Sequence, residues 1–124
     1  MKKNVVILGA SNDPERFSYR AFNKLNEKGY NPIPVSTTAT EIQNHEVYKH
    51  LSEITDNYET LTIYVRPSIS SQLMNEILMA KPKRVIFNPG TENHELETAL
   101  KSQGCHTIRA CTLVLLDSDK FDQA

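Results

Sequence analysis

The sequence is poor in the residues that mark disulfide scaffolds, metal clusters and glycine-rich nucleotide loops. It has two cysteines, Cys105 and Cys111, and four glycines in 124 residues. Two cysteines are too few for a disulfide framework, and their spacing matches neither metal-ligand pairs nor a redox C-x-x-C motif, so both are expected to be free thiols. The four histidines are scattered without an H-E-x-x-H pattern, which gives no support for a metal site.

Long apolar runs and blocks of like charge are also missing. The net charge is −1, from 14 basic and 15 acidic residues, and their distribution shows neither the basic stripe of a nucleic-acid-binding protein nor a polybasic membrane anchor. The longest apolar runs, Val5–Leu8 and Leu113–Leu116, are far too short to span a membrane, and the opening MKKN lacks the apolar core of a signal peptide. We therefore expect a cytoplasmic protein that binds a small molecule rather than a nucleic acid or a membrane.

The residues that are present form short apolar runs that alternate with helical patterns. The continuous run Val5–Leu8 predicts a strand covered on both faces, and four more strands are predicted at NPIPV, TLTIYV, RVIFN and HTIRA. Strands separated by helices favour right-handed crossovers and therefore a parallel sheet. We predict a single α/β domain over residues 1–124, with a doubly wound five-stranded parallel sheet and helices on both faces.

Local signals predict where the connecting helices begin and end. The first helix has apolar residues at three-to-four spacing from Phe17 onward and ends at Gly29. Ser68 is expected to cap a helix that stops before Pro82, and Asn93 is expected to cap the next one.

The region around the second strand is less regular. Pro32 and Pro34 remove two backbone donors, so these positions are expected to lie off the hydrogen-bonded ladder. Residues 36–46 are predicted to form a loop, and residues 46–54, EVYKHLSEI, a short helix.

In a doubly wound sheet, the ligand lies beyond the carboxyl ends of the strands, where the strand order reverses. The first segment at this edge contains Gly9, Ala10, Ser11 and Asn12, followed by Arg16 and Ser18. Backbone amides and a helix N-terminus converge on an anion in such a loop, and an arginine adds a fork of donors, so the loop is predicted to bind a phosphate. The alternative is a strand-to-helix turn whose polar side chains only cap the helix.

The end of the second strand argues against an NAD site. Such a site needs an Asp or Glu that accepts a hydrogen bond from the ribose 2′-hydroxyl. Here the strand ends in Ser36, Thr37 and Thr38, whose uncharged hydroxyl donors suit a phosphorylated ribose better than a free diol. A polar loop without a ligand is the alternative.

The remaining strand ends carry weaker candidates. Arg66 is either a phosphate contact or a solvated side chain, and residues 88–93 either bring the backbone at Gly90 close to an elongated ligand or form a turn and a helix cap. Arg109 is either a ligand contact or a structural residue that serves packing or a salt bridge. No convincing catalytic set is present, since Ser11 lacks the second glycine of a G-x-S-x-G elbow.

Four segments together resemble a known family. They are VVILGASNDPERFSYRAFNKLNEKGYNPIPVS, YVRP, NPGTEN and IRACTLVLL. In this order and spacing they resemble the small stand-alone CoA-binding proteins, relatives of the nucleotide-binding domain of the succinyl-CoA synthetase alpha subunit.

The resemblance implies a Rossmann-like fold that binds coenzyme A, with the pyrophosphate on the first loop and the adenosine toward the end of the second strand. The residues carried over are Gly9, Ala10, Ser11, Arg16 and Ser18 on the first loop, Val35 and Ser36 at the end of the second strand, Arg66 after the third, and Asn88 and Gly90 on the fourth loop. Family members often have Asn-Pro and a nearby lysine after the second strand, whereas the next lysine here is Lys49. The phosphohistidine loop of the synthetase is absent from the sequence, so its reaction is not expected.

We expect a module that binds coenzyme A or an acyl-CoA without catalysis of its own and acts as a carrier, a sensor or a partner subunit, alone or as a homo-oligomer. The alternative is a minimal NAD(P)-dependent oxidoreductase or a nucleotide-binding regulatory domain. Cys111, at the carboxyl end of the fifth strand, is expected within reach of the pantetheine thiol, where it would form a mixed disulfide with coenzyme A under oxidation, by thiolate attack on CoA disulfide with release of one CoA thiol. Otherwise it is a small buried apolar residue.

Overall fold

The computed structural model describes residues 3–124. Its helices and strands follow the chain in the order β1 (Asn4–Leu8), α1 (Phe17–Glu27), β2 (Asn31–Val35), β3 (Glu41–Ile42), β4 (His45–Glu46), a 3₁₀ turn (Leu51–Glu53), β5 (Thr60–Ile63), α2 (Pro67–Gln72), α3 (Met74–Ala80), β6 (Arg84–Phe87), α4 (His94–Ser102), β7 (His106–Arg109) and α5 (Thr112–Asp117). The five strands β2, β1, β5, β6 and β7 form one sheet in that order, and every neighbouring pair is parallel. The predicted five-stranded parallel sheet is confirmed.

Helices cover both faces of this sheet. Alternate side chains of β1 point to opposite faces, so Val5 and Ile7 pack in one core and Val6 and Leu8 in the other. The first core contains Phe22 and Leu25 of α1 and Leu116 of α5, and the second contains Ile77 of α3 and Leu96 and Leu100 of α4. The doubly wound arrangement that the sequence predicts is therefore confirmed.

The prolines of β2 lie at the edge of the sheet. The Asn31 amide donates to the Lys3 carbonyl and the Val35 carbonyl accepts from Gly9, so these residues of β2 point their backbone groups toward β1. Backbone groups alternate in direction along a strand, and Pro32 and Pro34 therefore occupy the positions whose amides would face outward. The two missing donors cost the sheet no hydrogen bond.

The predicted helix over residues 46–54 is wrong. Tyr48 instead forms a parallel bridge with Val35, in which Ser36 donates its amide to the Tyr48 carbonyl at 2.9 Å and Tyr48 donates to the Pro34 carbonyl at 3.1 Å. Only a 3₁₀ turn, Leu51–Glu53, remains helical. The predicted loop before it contains the hairpin of β3 and β4. Pairing with the free side of β2 prevails over the local helical spacing because it satisfies an outward-facing carbonyl.

Of the two helix N-caps predicted from the sequence, Asn93 is correct and Ser68 is wrong. Asn93 caps α4, since its side-chain oxygen accepts from the Leu96 amide at 3.2 Å. Ser68 does not cap a helix: Arg66 is the N-cap of α2 and Pro67 is its first residue, a position that suits proline because it needs no donor. All helices are short, and none within residues 3–124 is long and apolar enough to cross a membrane.

Candidate functional site

A cavity of about 410 Å³ opens beyond the carboxyl ends of β1, β2 and β5. β1 is bonded to β2 on one side and to β5 on the other, so the cavity lies where the strand order reverses, the usual ligand position in this architecture. Its lining consists of Leu8, Gly9, Ala10 and Ser11 after β1; Arg16, Phe17 and Ser18 at α1; Val35, Ser36, Thr37 and Thr38 after β2; Lys49 and His50; Tyr64 and Val65 after β5; Ile69, Leu73 and Glu76 around α2 and α3; and Pro89 and Thr91 after β6.

The lining divides the ligand residues expected from the sequence into two groups. Those on the cavity are Gly9, Ala10, Ser11, Arg16, Ser18, Val35 and Ser36. Those outside the lining are Asn12, Arg66, Asn88, Gly90 and Cys111. The structure thus collects most candidates of β1 and β2 on the cavity and leaves outside it Asn12 of the first loop, Arg66 after β5 and the candidates around β6 and β7.

Gly9 is required by the close approach of β1 and β5. Its φ is +92°, and a Cβ there would lie 2.8 Å from Val65 Cγ1 and 3.1 Å from the carbonyl carbon of Tyr64. The amides of Gly9 and Ala10 both donate to the Val35 carbonyl at 3.0 Å. These two amides are therefore committed to the fold, and the amides available to an anion lie further along the chain.

Those amides lie at the start of α1. Arg16 is the N-cap and makes no side-chain capping bond, and the first amides of a helix have no intrahelical acceptor. Phe17 and Ser18, the first two helical residues, line the cavity. The Arg16 side chain is exposed and lies 4.0 Å from Asp13, measured from Nε to Oδ2. Unpaired amides, the helix dipole and an exposed guanidinium favour a phosphate at this position.

The turn before α1 stabilises itself. The Asp13 amide donates to the Ser11 hydroxyl at 3.0 Å, and Asp13 Oδ1 accepts from the Glu15 amide at 3.0 Å. Asn12 is exposed at the tip of this turn. The polar side chains of this turn therefore bond to its own backbone and do not cap α1.

Hydroxyl groups surround the end of β2. Ser36 is buried, and its oxygen accepts from the Thr38 and Ala39 amides, both at 3.2 Å. Thr37 and Thr38 are exposed at the rim of the cavity. Glu41, the nearest acid in the sequence, belongs to β3 and does not line the cavity. The carboxylate of an NAD site is therefore missing at this position.

Sequence reasoning missed Lys49 and His50 as lining residues. The bridge between Val35 and Tyr48 places the residue after Tyr48 next to Ser36, although they are far apart in the sequence. His50 Nδ1 lies 3.2 Å from Glu76 Oε1, which also lines the cavity. The prolines of β2 were the sequence signal that could have located these two residues. They occupy the positions whose backbone groups face away from the sheet, and an outward-facing carbonyl needs a donor from another segment.

Sequence reasoning also missed the apolar side of the cavity. Tyr64, Val65, Ile69 and Leu73 line it. The Tyr64 hydroxyl is buried and has no hydrogen-bond partner within residues 3–124. Burial raises the pKa of Tyr64 above its ordinary value, so the phenol stays protonated and able to donate.

Asn88 is part of a closed buried network. Its amide nitrogen donates to Thr62 Oγ1 at 2.7 Å and to the Ile63 carbonyl at 2.8 Å, and its Oδ1 accepts from the Thr112 amide at 2.9 Å. The hydroxyls of Thr62 and Thr112 lie 2.8 Å apart. The Asn88 side chain thus joins β5, β6 and the start of α5, and both of its amide hydrogens are used by the protein.

The other residues outside the lining have different surroundings. Arg66 is exposed at the N-cap of α2, and Gly90 is exposed with a φ of +90°. Cys111 is a half-buried free thiol at the N-cap of α5. Arg109 forms the salt bridge that was one of its two interpretations, with an Nη2 to Oε1 distance of 2.6 Å to Glu97.

The comparison with protein families gives a match over nearly the whole chain. The sequence pattern of the family described as CoA binding domain matches residues 3–117. One relative, the acetate–CoA ligase (ADP-forming) II subunit alpha of Pyrococcus furiosus, is 31% identical over 75 residues. That match covers 60% of this chain and 16% of the relative, so the chain spans only a small part of the ligase subunit.

Solved structures share the fold over nearly their full length. An uncharacterized protein has a TM-score of 0.91 at 38% identity, with 98% of this chain and 99% of the other chain covered. A protein from Thermus thermophilus has a TM-score of 0.88 at 26% identity, with 97% and 91% covered. These neighbours confirm the Rossmann-like fold expected from the resemblance.

Proposed function

Because this chain belongs to the CoA-binding domain family, we propose that it binds coenzyme A or an acyl-CoA in the cavity beyond β1, β2 and β5. The observation that carries the proposal is the uncapped start of α1 on the cavity wall. An uncapped helix start favours an anion, and the pyrophosphate is the anion at the centre of coenzyme A.

The ligand would cross the cavity from the end of β2 to the apolar side. The pyrophosphate accepts hydrogen bonds from the first amides of α1, with Arg16 beside it. The adenosine lies toward Val35 and Ser36, and the pantetheine arm passes Tyr64. Arg66, Gly90 and Asn12 stay proposed contacts of a longer, extended ligand whose arm leaves the cavity, and Cys111 stays the proposed partner of its thiol. Asn88 is proposed to support the site through its buried network with Thr62 and Thr112.

We propose further that the chain is a carrier, a sensor or a partner subunit without catalysis of its own. The ionisable side chains on the cavity include one close pair, His50 and Glu76, and these contact each other. The relative from Pyrococcus furiosus is named as one subunit of a ligase, which supports the partner-subunit role among the three.

A thermal-shift series tests the proposal. Coenzyme A and acetyl-CoA are expected to raise the melting temperature, and NAD, NADP and ADP to raise it less, because a ligand that binds only the folded state stabilises it by mass action. A shift by NAD alone would favour the oxidoreductase. No shift with any of the five would leave a ligand-free interaction domain.

A pair of variants then locates the site. Ser11→Glu places a negative charge on the cavity wall, and we expect it to abolish the shift by coenzyme A. The free protein is expected to stay folded and to melt only slightly earlier, because the Asp13 amide loses its Ser11 acceptor. Thr98→Glu adds the same charge at an exposed position of α4 and controls for net charge. An unchanged shift in Ser11→Glu would remove the first loop from the site.

A further inference from the structure

Lys49 makes no ion pair with the described residues, whereas Arg16 on the same cavity lies beside a carboxylate. Among the ion pairs of residues 3–124, which extend to a nitrogen–oxygen distance of 4.0 Å, none includes Lys49. Arg16 has Asp13 beside it, and the cavity carboxylate Glu76 is paired with His50 at 3.2 Å. Lys49 thus lies on the cavity wall without an ion-pair partner within 4.0 Å in this part of the chain.

The sheet, rather than the local sequence, fixes the position of Lys49. The bridge between Val35 and Tyr48 attaches Tyr48, the residue before Lys49, to the open side of β2. Glu53 Oε1 accepts from the amides of Lys49 and His50, both at 2.9 Å. These bonds lower the pKa of the Glu53 carboxyl, so the charged acceptor that holds this backbone is present at neutral pH.

Two groups of donors therefore lie on the same cavity. One is the start of α1 with Arg16, and the other is Lys49 with the exposed hydroxyls of Thr37 and Thr38 at the end of β2. Coenzyme A carries two separate anionic groups, the pyrophosphate and the phosphate on the ribose 3′-oxygen. An ammonium beside hydroxyl donors attracts a phosphate, and it lacks the carboxylate that would accept from a free ribose diol.

We propose that Lys49, with Thr37 and Thr38, binds the 3′-phosphate of coenzyme A, and that this contact makes the protein select 3′-phosphorylated nucleotides over their dephosphorylated forms. The inference rests on the proposed function, because it assigns a second anion to the same cavity. Lys49 is then the residue that supplies the cation missing directly after β2.

Affinities for coenzyme A and dephospho-CoA, measured by calorimetry on the full chain, test the assignment. The wild-type protein is expected to bind coenzyme A about tenfold more tightly, the ratio for one hydrogen-bonded contact to a charged group. Lys49→Met removes this preference: its affinity for coenzyme A falls about tenfold while its affinity for dephospho-CoA stays within about twofold. Lys49→Arg restores most of the preference.

Two controls separate this contact from general charge effects. Lys101→Met removes a lysine that is exposed on α4, and both affinities are expected to stay unchanged. Thr37→Val removes a hydroxyl without removing charge, and the preference is expected to fall less than in Lys49→Met.

The outcomes distinguish the two proposals. Equal weakening of both ligands by Lys49→Met would place Lys49 at the pyrophosphate, and no weakening would remove it from the site; either result overturns the 3′-phosphate assignment and leaves coenzyme A binding intact. Failure of the wild-type protein to bind either ligand would overturn the proposed function and this inference with it.

Discussion

The two halves of the carboxyl edge use polar groups in opposite ways. Beyond β1 and β2, the start of α1 is uncapped and Lys49 has no ion-pair partner within residues 3–124. Beyond β6 and β7, the side chains of Asn88 and Arg109 are bonded to other parts of the protein. The residue type at a strand end therefore does not show whether a side chain is available to a ligand. The hydrogen bonds that its donors already make within the protein do.

This difference between the two halves follows from how the helix that begins in each half is held in place. α5 is a short helix whose first amide needs an acceptor, and Asn88 supplies it across the sheet. α1 is longer, with Phe22 and Leu25 fully buried in the core, so its packing holds it without a capping side chain. A well-packed helix with a free start can accept a ligand at no cost to the fold.

The largest effect is expected at Asn88. Asn88→Ala removes three buried hydrogen bonds and leaves the Thr112 amide without its acceptor, so we expect unfolding by urea to show a loss of about 3 kcal/mol. Coenzyme A affinity of the folded protein is expected to change little. Asn12→Ala, the same change at the exposed tip of the first turn, is expected to alter stability by less than about 0.5 kcal/mol. Normal stability with lost binding in Asn88→Ala would make Asn88 a ligand contact and remove the difference between the halves.

The next effect is expected at Gly9, where fold and site meet. Gly9→Ala and Gly29→Ala both place a side chain at a positive φ, of +92° and +89°, but only the first meets neighbouring atoms within 4 Å. We expect Gly29→Ala to cost about 1 kcal/mol of backbone strain, and Gly9→Ala to cost clearly more and to weaken coenzyme A binding. Equal melting temperatures for the two variants would show that the approach of β1 to β5 does not constrain the loop.

A smaller effect is expected at the arginines. Arg16→Ala is expected to weaken coenzyme A binding several-fold at low salt and less at high salt, as for a partly exposed ion contact. Arg66→Ala is expected to weaken it only modestly, because Arg66 lies outside the cavity lining. A larger effect at Arg66 than at Arg16 would move the pyrophosphate toward α2.

The smallest effect is expected from the ion pair beyond β7. Hydrogen bonds from Arg109 lower the pKa of Glu97, so the pair stabilises the folded state above the pKa of about 4.3 that Glu has when unfolded, and this stabilisation is lost as pH falls through the lower folded value. Arg109→Gln is therefore expected to melt slightly earlier than wild type at pH 7 and equally near pH 3. A difference that persists at pH 3 would indicate packing rather than charge.

The parts of the molecule that the sequence predicts are those with short-range signals. The apolar run Val5–Leu8, the spacing after Phe17 and the cap at Asn93 each depend on neighbouring residues, and all three are confirmed. The position of Lys49 depends on a bridge between Tyr48 and Val35, a tertiary contact that no local period encodes. For the same reason the helix predicted over residues 46–54 is wrong.

Sequence reasoning also could not show which polar side chains are already hydrogen-bonded within the protein. Asn88 and Ser36 are both polar residues at strand ends, and the resemblance assigns both to the ligand. Only the fold shows that Asn88 bonds to groups that lie 24 to 26 residues away in the sequence. The Ser36 side chain bonds within its own loop and lines the cavity. Site prediction therefore needs the hydrogen-bond partners as well as the residue types.

The prolines of β2 also bear on how copies of the chain can associate. An exposed edge strand is a template on which another chain can add a strand, and this is a common route to aggregation. Pro32 and Pro34 offer no donor on the open side of β2, and the Pro34 carbonyl already accepts from Tyr48. Strand addition is thus blocked beside the ligand cavity, and a homo-oligomer built by extending the sheet would have to join through β7.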